Sequence, residues 1–226
     1  MKKINLILVM VLLVFNLKSQ ININPDSTGA QWIAGGIPMI TQNIIQEIES
    51  IQKFSLNPLC LTQSLPDSID NSIRPYMRSI FRQSGNSCSQ ASSIGYMFTY
   101  EFNYLNGISA DEDSTTFHPS FTYNFLNYGS EDSGSYIHHG LDILSEMGCP
   151  SIETYGAPID SVDPKSWLTG CSKYYEAIQH RIKVYETIDL VSDSGLFFIK
   201  HWLDSHNGQD SIGGLAVFGV KDMGGC

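Results

Sequence analysis

The chain has little positive charge. It carries 13 lysine and arginine residues against 23 aspartate and glutamate residues, and its formal net charge at pH 7 is −10. An excess of acid disfavours contact with the phosphates of nucleic acids and with anionic membrane surfaces. We therefore expect neither nucleic acid nor an anionic membrane surface among its partners.

The chain also lacks the short motifs that bind metals and nucleotides. It contains no Cys-x-x-Cys pair, no His-Glu-x-x-His helix, no glycine-rich phosphate loop and no calcium loop. These motifs place their ligands by local spacing, so they can be recognised in a sequence. We accordingly expect no metal and no cofactor.

The apolar run at the N-terminus is too short to span a bilayer, which takes about 20 residues. It covers residues 4–17, follows Lys2 and Lys3, and is followed by Lys18-Ser19. A basic start, a short apolar run and then a small residue are typical of a signal peptide. We expect residues 1–19 to be a signal peptide, and the mature protein to be secreted, periplasmic or on the cell surface.

Cysteine is scarce. The chain has five: Cys60, Cys88, Cys149, Cys171 and Cys226. Export would permit disulfide bonds. An odd number leaves one thiol outside any pairing if the other four pair, and Cys88 is the candidate for that thiol.

A polar loop at residues 81–87 leads to Cys88 at the start of an amphipathic pattern. Helical spacing and the stop at Asn106-Gly107 predict a helix over 88–106. A helix start favours negative charge, so we expect a lowered thiol pKa and a nucleophilic Cys88. Gln83 could place its amide, together with the Cys88 N–H, beside an oxyanion. The competing interpretation is a buried cysteine that acts as a small apolar residue.

Apolar periodicity places further elements along the chain. It predicts helices at 119–127, 137–147, 170–186 and 195–206, and a strand at about 214–220. An amphipathic segment at 40–54 is either a pro-segment helix that lies in a cleft or an N-terminal packing helix. Helices segregated from a sheet make an α+β fold.

The segment Leu65-Pro66-Asp67-Ser68-Ile69-Asp70, with Gln83 and Cys88 after it, resembles the opening of the mature domain in papain-like cysteine peptidases. Further similar segments lie at 118–124, 140–148, 153–155, 199–203 and 214–217, so the resemblance covers residues 65 to about 220. Gln83 precedes Cys88 by five residues where the family has six. Gly85 and Ser89 replace a disulfide cysteine and an aromatic residue, which indicates a divergent bacterial branch.

This resemblance implies a two-lobe fold in which the helical lobe is present and the β-barrel lobe incomplete. Residues 20–64 would be an N-terminal or pro-segment and residues 65–226 the peptidase domain. Cys88 would attack the carbonyl of a peptide or protein substrate, and Gln83 would help to hold the oxyanion. Gly134 and Ser135 would bind the substrate backbone; the alternative for these two residues is a flexible loop tip.

The family also uses a histidine and an asparagine that follow the cysteine by about 130–150 residues. No segment like the family's histidine strand follows Cys88, and the six histidines present lie in ordinary contexts: His118, His138, His139, His180, His201 and His206. We expect a C-terminally truncated sequence with the catalytic histidine beyond Cys226, and a fragment that is inactive by itself.

Two other functions compete with a secreted papain-like endopeptidase. The first is a papain-like binding or surface protein that has lost activity. The second is a different Cys–His hydrolase that acts on cell-wall peptides or as a transglutaminase, against which the Leu65-Pro66 start and Gln83 argue.

Overall fold

The computed structural model describes residues 7–12, 37–38, 40–55, 64–161, 163 and 165–219, and of residues 7–12 only the backbone. Cys60, Cys226 and most of the predicted signal peptide lie outside these ranges.

Seven helices and three strands form the described part of the chain. The helices are α1 (Gln42–Ser50), α2 (Cys88–Gln90, Ala91–Phe98 and Thr99–Asn106 in succession), α3 (Ser120–Leu126), α4 (Ile137–Glu146), α5 (Ile152–Tyr155), α6 (Cys171–Gln179) and α7 (Asp193–Ser205). The strands are β1 (Ile7–Leu12), β2 (Val184–Asp189) and β3 (Ala216–Val217), and a 3₁₀ turn covers Ile159–Ser161. The helices expected near 88–106, 119–127, 137–147 and 195–206 are confirmed.

The middle section of α2, Ala91–Phe98, is a π-helix. Ser92 Oγ donates to the Cys88 carbonyl oxygen over 2.8 Å, and Ser93 Oγ donates to the Ser89 carbonyl oxygen over 2.6 Å. These hydroxyls compete with backbone N–H groups for the same carbonyls, which favours the wider π spacing. The widened section therefore begins three residues after Cys88.

The sheet is parallel, with strand order β2-β1-β3. β1 runs in register with β2 from the pair Ile7 and Val184 to the pair Leu12 and Asp189. β3 pairs with β1 over two residues and lies at the edge of the sheet. The predicted strand at 214–220 is thus present, but it is shorter than expected.

The helix predicted over 170–186 is wrong beyond its first half. α6 ends at Gln179, and β2 begins at Val184, within the last three residues of the expected range. Val184, Thr187 and Ile188 are β-branched, so they lose side-chain freedom in a helix and fit a strand better. Pairing with β1 then fixes them as a strand.

Two apolar clusters hold these elements together. The larger cluster joins α2, α3 and α4 through Ile94, Phe98, Phe117, Phe121 and Leu141, all at most 2% exposed. The smaller cluster lies between β2 and α7, where Phe54 packs edge-on against Trp202 beside Ile188. Cys88 begins the helix that passes through the larger cluster.

Candidate active site

Cys88 is the first residue of α2 and is half-buried. The preceding Ser87 is buried, and its Oγ donates to the Ser84 carbonyl oxygen over 2.6 Å. This bond closes the polar loop that leads to the helix. The sequence therefore places Cys88 correctly at a helix start.

The expected direction of the Cys88 pKa is wrong. Burial raises the pKa of the Cys88 thiol, while the backbone N–H groups of Ser89 and Cys88 lower it by a smaller amount. Packing against the protein interior removes water from the thiolate, and two N–H donors do not offset that loss. Burial therefore outweighs the helix start at this thiol.

Gln83 lies in the same loop as Cys88 and is partly exposed. Its Nε2 donates to the Gly85 carbonyl oxygen over 3.2 Å. A primary amide has two N–H donors, so this bond engages only one of them. The amide therefore retains a proton that can serve an oxyanion.

A second loop, residues 130–135, packs against the loop that carries Cys88. The backbone N–H of Asn86 donates to the Glu131 carbonyl oxygen and its side-chain Nδ2 to the Asp132 carbonyl oxygen, both over 2.8 Å. Gly85, at φ +54°, lies so close that a Cβ there would be 2.7 Å from the same Glu131 oxygen. The two loops are thus joined by hydrogen bonds beside Gly85.

Ser135 and Gly134 lie in this second loop and differ in exposure. Ser135 is buried, and its Oγ lies 2.8 Å from Ser89 Oγ and 3.1 Å from Gln90 Nε2. Gly134 is partly exposed. The structure therefore brings Ser135 to the first turn of α2, where its hydroxyl group bonds to Ser89 and Gln90. The neighbouring Gly134 has a backbone that is accessible to solvent.

Two side chains that the sequence analysis missed hold this arrangement. Gln90 is fully buried; its Nε2 also donates to the Tyr136 carbonyl oxygen over 3.0 Å, and its Oε1 accepts from Thr122 Oγ1 over 3.0 Å. Tyr123 Oη lies 2.8 Å from the Ser133 carbonyl oxygen. Both bind backbone or side chains from distant segments, so no local pattern marks them.

His118 and His206 have both ring nitrogens engaged. His118 is buried on Tyr155, with Nε2 at 3.0 Å from the Ala157 carbonyl oxygen and Nδ1 accepting the Ser120 N–H. Burial lowers the pKa of His118 to about 4. His206 bonds the Glu101 carboxylate over 2.8 Å through Nε2 and the Ile212 carbonyl oxygen through Nδ1.

The other four histidines contact other parts of the protein. His138 and His139 both direct Nε2 at the Glu47 carboxylate. His180 Nδ1 lies 3.1 Å from the Cys149 carbonyl oxygen. His201 is fully buried, and neither ring nitrogen has a hydrogen-bond partner among the described residues.

A cavity of about 590 Å³ lies beside the segment that precedes Gln83. Its lining includes Arg78, Phe81, Asp113 and Glu153, and it does not include Cys88. Charges of both signs face this space. The cavity is therefore separate from the candidate nucleophile.

Comparisons with known proteins agree with the fold. No known family profile matches the chain, and no curated protein matches it in sequence. Xylellain, a cysteine protease from Xylella fastidiosa, is similar with a TM-score of 0.54 and 15% identity, over 77% of this chain and 65% of its own. ProCathepsin B S9 from Trypanosoma congolense is similar with a TM-score of 0.52 and 18% identity, over 73% of this chain and 57% of its own.

The chain therefore has an α+β fold of the papain-like cysteine protease type. It spans less than two thirds of the length of either of these structures. None of the helices in the described part of the chain has the length and apolar character needed to span a membrane.

Proposed function

We propose that the chain is part of a secreted papain-like cysteine endopeptidase of a divergent bacterial branch, with Cys88 as its nucleophile. The observation that carries this proposal is the position of Cys88. Cys88 is the first residue of the central helix of a papain-like fold. The loop of residues 130–135, which contains the partly exposed Gly134, is hydrogen-bonded to the loop that leads to Cys88.

The proposed reaction is acyl transfer to sulfur. The Cys88 thiolate attacks the peptide carbonyl carbon, and the carbonyl π electrons move to oxygen. The Cys88 N–H and the second amide proton of Gln83 stabilise that oxyanion. The C–N bond then breaks, an imidazolium protonates the leaving amine, and water hydrolyses the thioester. Gly134 binds the substrate backbone, while Ser135 holds the loop.

The imidazole in this scheme comes from outside these 226 residues. His118 and His206 have both ring nitrogens bonded, His138 and His139 face Glu47, His180 faces the Cys149 carbonyl oxygen, and His201 is buried against Phe197, so each of the six contacts a group other than Cys88.

The proposed organisation is a signal peptide at 1–19, an N-terminal or pro-segment at 20–64 and the peptidase domain at 65–226. In the structure, however, the backbone of residues 7–12 pairs with both β2 and β3. Cleavage after residue 19 would remove this central strand. N-terminal sequencing of the protein recovered from its natural host tests the proposal: a start near residue 20 supports export, and a start at Met1 contradicts it.

Peptidase activity is tested by turnover of an unstructured protein substrate under reducing conditions. The protein from its natural gene should cleave the substrate, and Cys88→Ala should lower kcat by on the order of 10⁴-fold or more. Ser84→Ala, in the same loop, is the matched control and should keep most of the activity. Cleavage that survives in Cys88→Ala would refute the assignment.

The alternative is an inactive papain-like binding or surface protein. Burial raises the pKa of the Cys88 thiol, and this favours the alternative because a smaller fraction of the thiol is then present as the nucleophilic thiolate. Absence of Cys88-dependent turnover in the natural protein, together with a folded far-UV spectrum, would establish this alternative.

A further inference from the structure

One cluster of metal-binding side chains lies outside the residues assigned to the peptidase reaction. Glu47 of α1 lies against His138 and His139 at the start of α4, 91 residues away in sequence from the first of these histidines. The three ligand atoms all lie within 4.8 Å of one another. Local motifs in the sequence gave no indication of this convergence.

We propose that Glu47, His138 and His139 bind a zinc ion that fastens α1 to the start of α4. The proposal does not depend on the chemistry of Cys88.

The distances fit a tetrahedral ion. The Glu47 Oε2 atom lies 3.2 Å from His138 Nε2 and 2.9 Å from His139 Nε2. Zinc–nitrogen and zinc–oxygen bonds of about 2.0–2.1 Å place neighbouring ligand atoms about 3.3 Å apart. The two separations from Glu47 are close to this value, and the two histidine nitrogens lie within 4.8 Å of each other, so side-chain rotation could bring all three atoms onto one ion.

The types of ligand atom present favour some cations over others. Two imidazole nitrogens and one carboxylate oxygen are typical ligands of zinc, with water as the fourth. Calcium and magnesium prefer sites made of oxygen alone. Zinc is therefore the expected occupant, and copper or nickel is the expected competitor in solution.

The burial of these three side chains suits a site that is held rigidly and is still open to an ion from solvent. His138 is 5% exposed in its side chain, so the protein fixes it, whereas Glu47 and His139 are 49% and 35% exposed. Ile44 and Ile48, on either side of Glu47 along α1, are buried. An ion can thus enter from solvent while packing holds the helix that carries the carboxylate.

The consequence concerns the segment at residues 40–55. Phe54 N–H donates to the Thr187 carbonyl oxygen over 2.9 Å, and Asn207 Nδ2 donates to the Ser55 carbonyl oxygen over 3.0 Å, so this segment is already attached at its C-terminal end. Zinc would attach its helical end as well. The ion would then add to the attachment that the buried Ile44 and Ile48 already give α1.

Calorimetric titration of Zn²⁺ into the whole protein tests the proposal. The experiment is done in a Cys171→Ser background, because this exposed thiol could bind zinc by itself. We expect saturable binding of one ion, and a loss of at least about tenfold to 100-fold in affinity for Glu47→Gln and for His139→Gln. Glu49→Gln, on the exposed surface of the same helix, is the matched control and should leave the affinity unchanged.

A structural readout separates the site from adventitious binding. Zn²⁺ should slow cleavage of α1 by an added protease in the parent and in Glu49→Gln, and it should have no effect in Glu47→Gln. Absence of zinc binding, or binding that Glu47→Gln and His139→Gln leave unchanged, would overturn the proposal and would show that the three residues form only a hydrogen-bonded group.

Discussion

The backbone N–H of Asn86 donates to the carbonyl oxygen of Glu131 over 2.8 Å. This bond joins the loop that carries Cys88 to the loop that carries Gly134 and Ser135. Two segments 45 residues apart in sequence are thereby held as one surface. The junction therefore fixes the loop of Gly134 and Ser135 relative to the loop that carries Cys88.

Replacing Gly85 with alanine should disrupt the junction. Gly85 has φ +54°, and its new Cβ would lie 2.7 Å from the Glu131 carbonyl oxygen. The left-handed backbone costs about 1–2 kcal/mol for alanine, and the contact adds to that cost. Gly107→Ala is the control, since Gly107 has φ +63° with nothing within 4 Å. Urea unfolding should show a larger loss for Gly85→Ala; equal losses would mean that the loops separate freely.

Gln90→Leu should destabilise the fold by about 2–3 kcal/mol, because its carbonyl and hydroxyl partners lose buried hydrogen bonds. These partners are Ser135, Tyr136 and Thr122. Gln179→Leu, on the surface of α6, should change stability by less than about 0.5 kcal/mol. Chemical unfolding of both variants measures the difference. An unchanged free energy of unfolding in Gln90→Leu would contradict a stabilising role for the hydrogen bonds of Gln90.

Stability should fall on acidification partly because of His118. Its pKa is lowered by burial to about 4 in the folded protein, against about 6.5 when unfolded. The unfolded chain therefore binds the proton first, so this contribution is complete above pH 6.5 and is lost as the pH falls towards 4. The expected loss is about 3 kcal/mol.

His118→Gln should flatten the pH dependence of the unfolding free energy between pH 6.5 and 4, whatever its effect at pH 7. Unfolding curves at several pH values provide the slope. An unchanged slope would show that the imidazole of His118 is not the group that titrates.

The three described thiols should differ in their rates of alkylation. Cys171 is exposed, Cys88 is half-buried with a raised pKa, and Cys149 is fully buried with its pKa strongly raised. In the 226-residue chain, iodoacetamide should label Cys171 first and Cys149 last. If an imidazolium lies beside Cys88 in the protein produced from its natural gene, Cys88 should move to first place there, because that cation would stabilise its thiolate. Peptide mapping after brief labelling gives the order, and fast labelling of Cys149 would contradict the fold.

The helices near the site could be predicted because apolar periodicity is a local signal. Cys88–Asn106 and Ile137–Glu146 follow this signal closely. β2 was missed because a strand of this length depends on its partner, β1, which lies far away in the sequence. The pKa of Cys88 was predicted in the wrong direction because burial arises from tertiary packing, whereas the helix start that lowers the pKa is visible locally.

The contacts among distant residues were the least predictable. Glu47 meets His138, 91 residues away, only in the folded chain, and Gln90 reaches Ser135 and Tyr136 across separations of 45 and 46 residues. No spacing rule connects such positions. The position of Gly134 and Ser135 beside the start of α2 was suggested by the family resemblance alone.

Covalent capture of Cys88 tests the central claim most directly. The protein produced from its natural gene is incubated with a peptidyl epoxide under reducing conditions near neutral pH, and the adduct is located by mass spectrometry. We predict one adduct per chain, on Cys88, that forms in step with the loss of peptidase turnover. Loss of turnover with an adduct on any other residue, or full turnover with Cys88 modified, would contradict its role as the nucleophile.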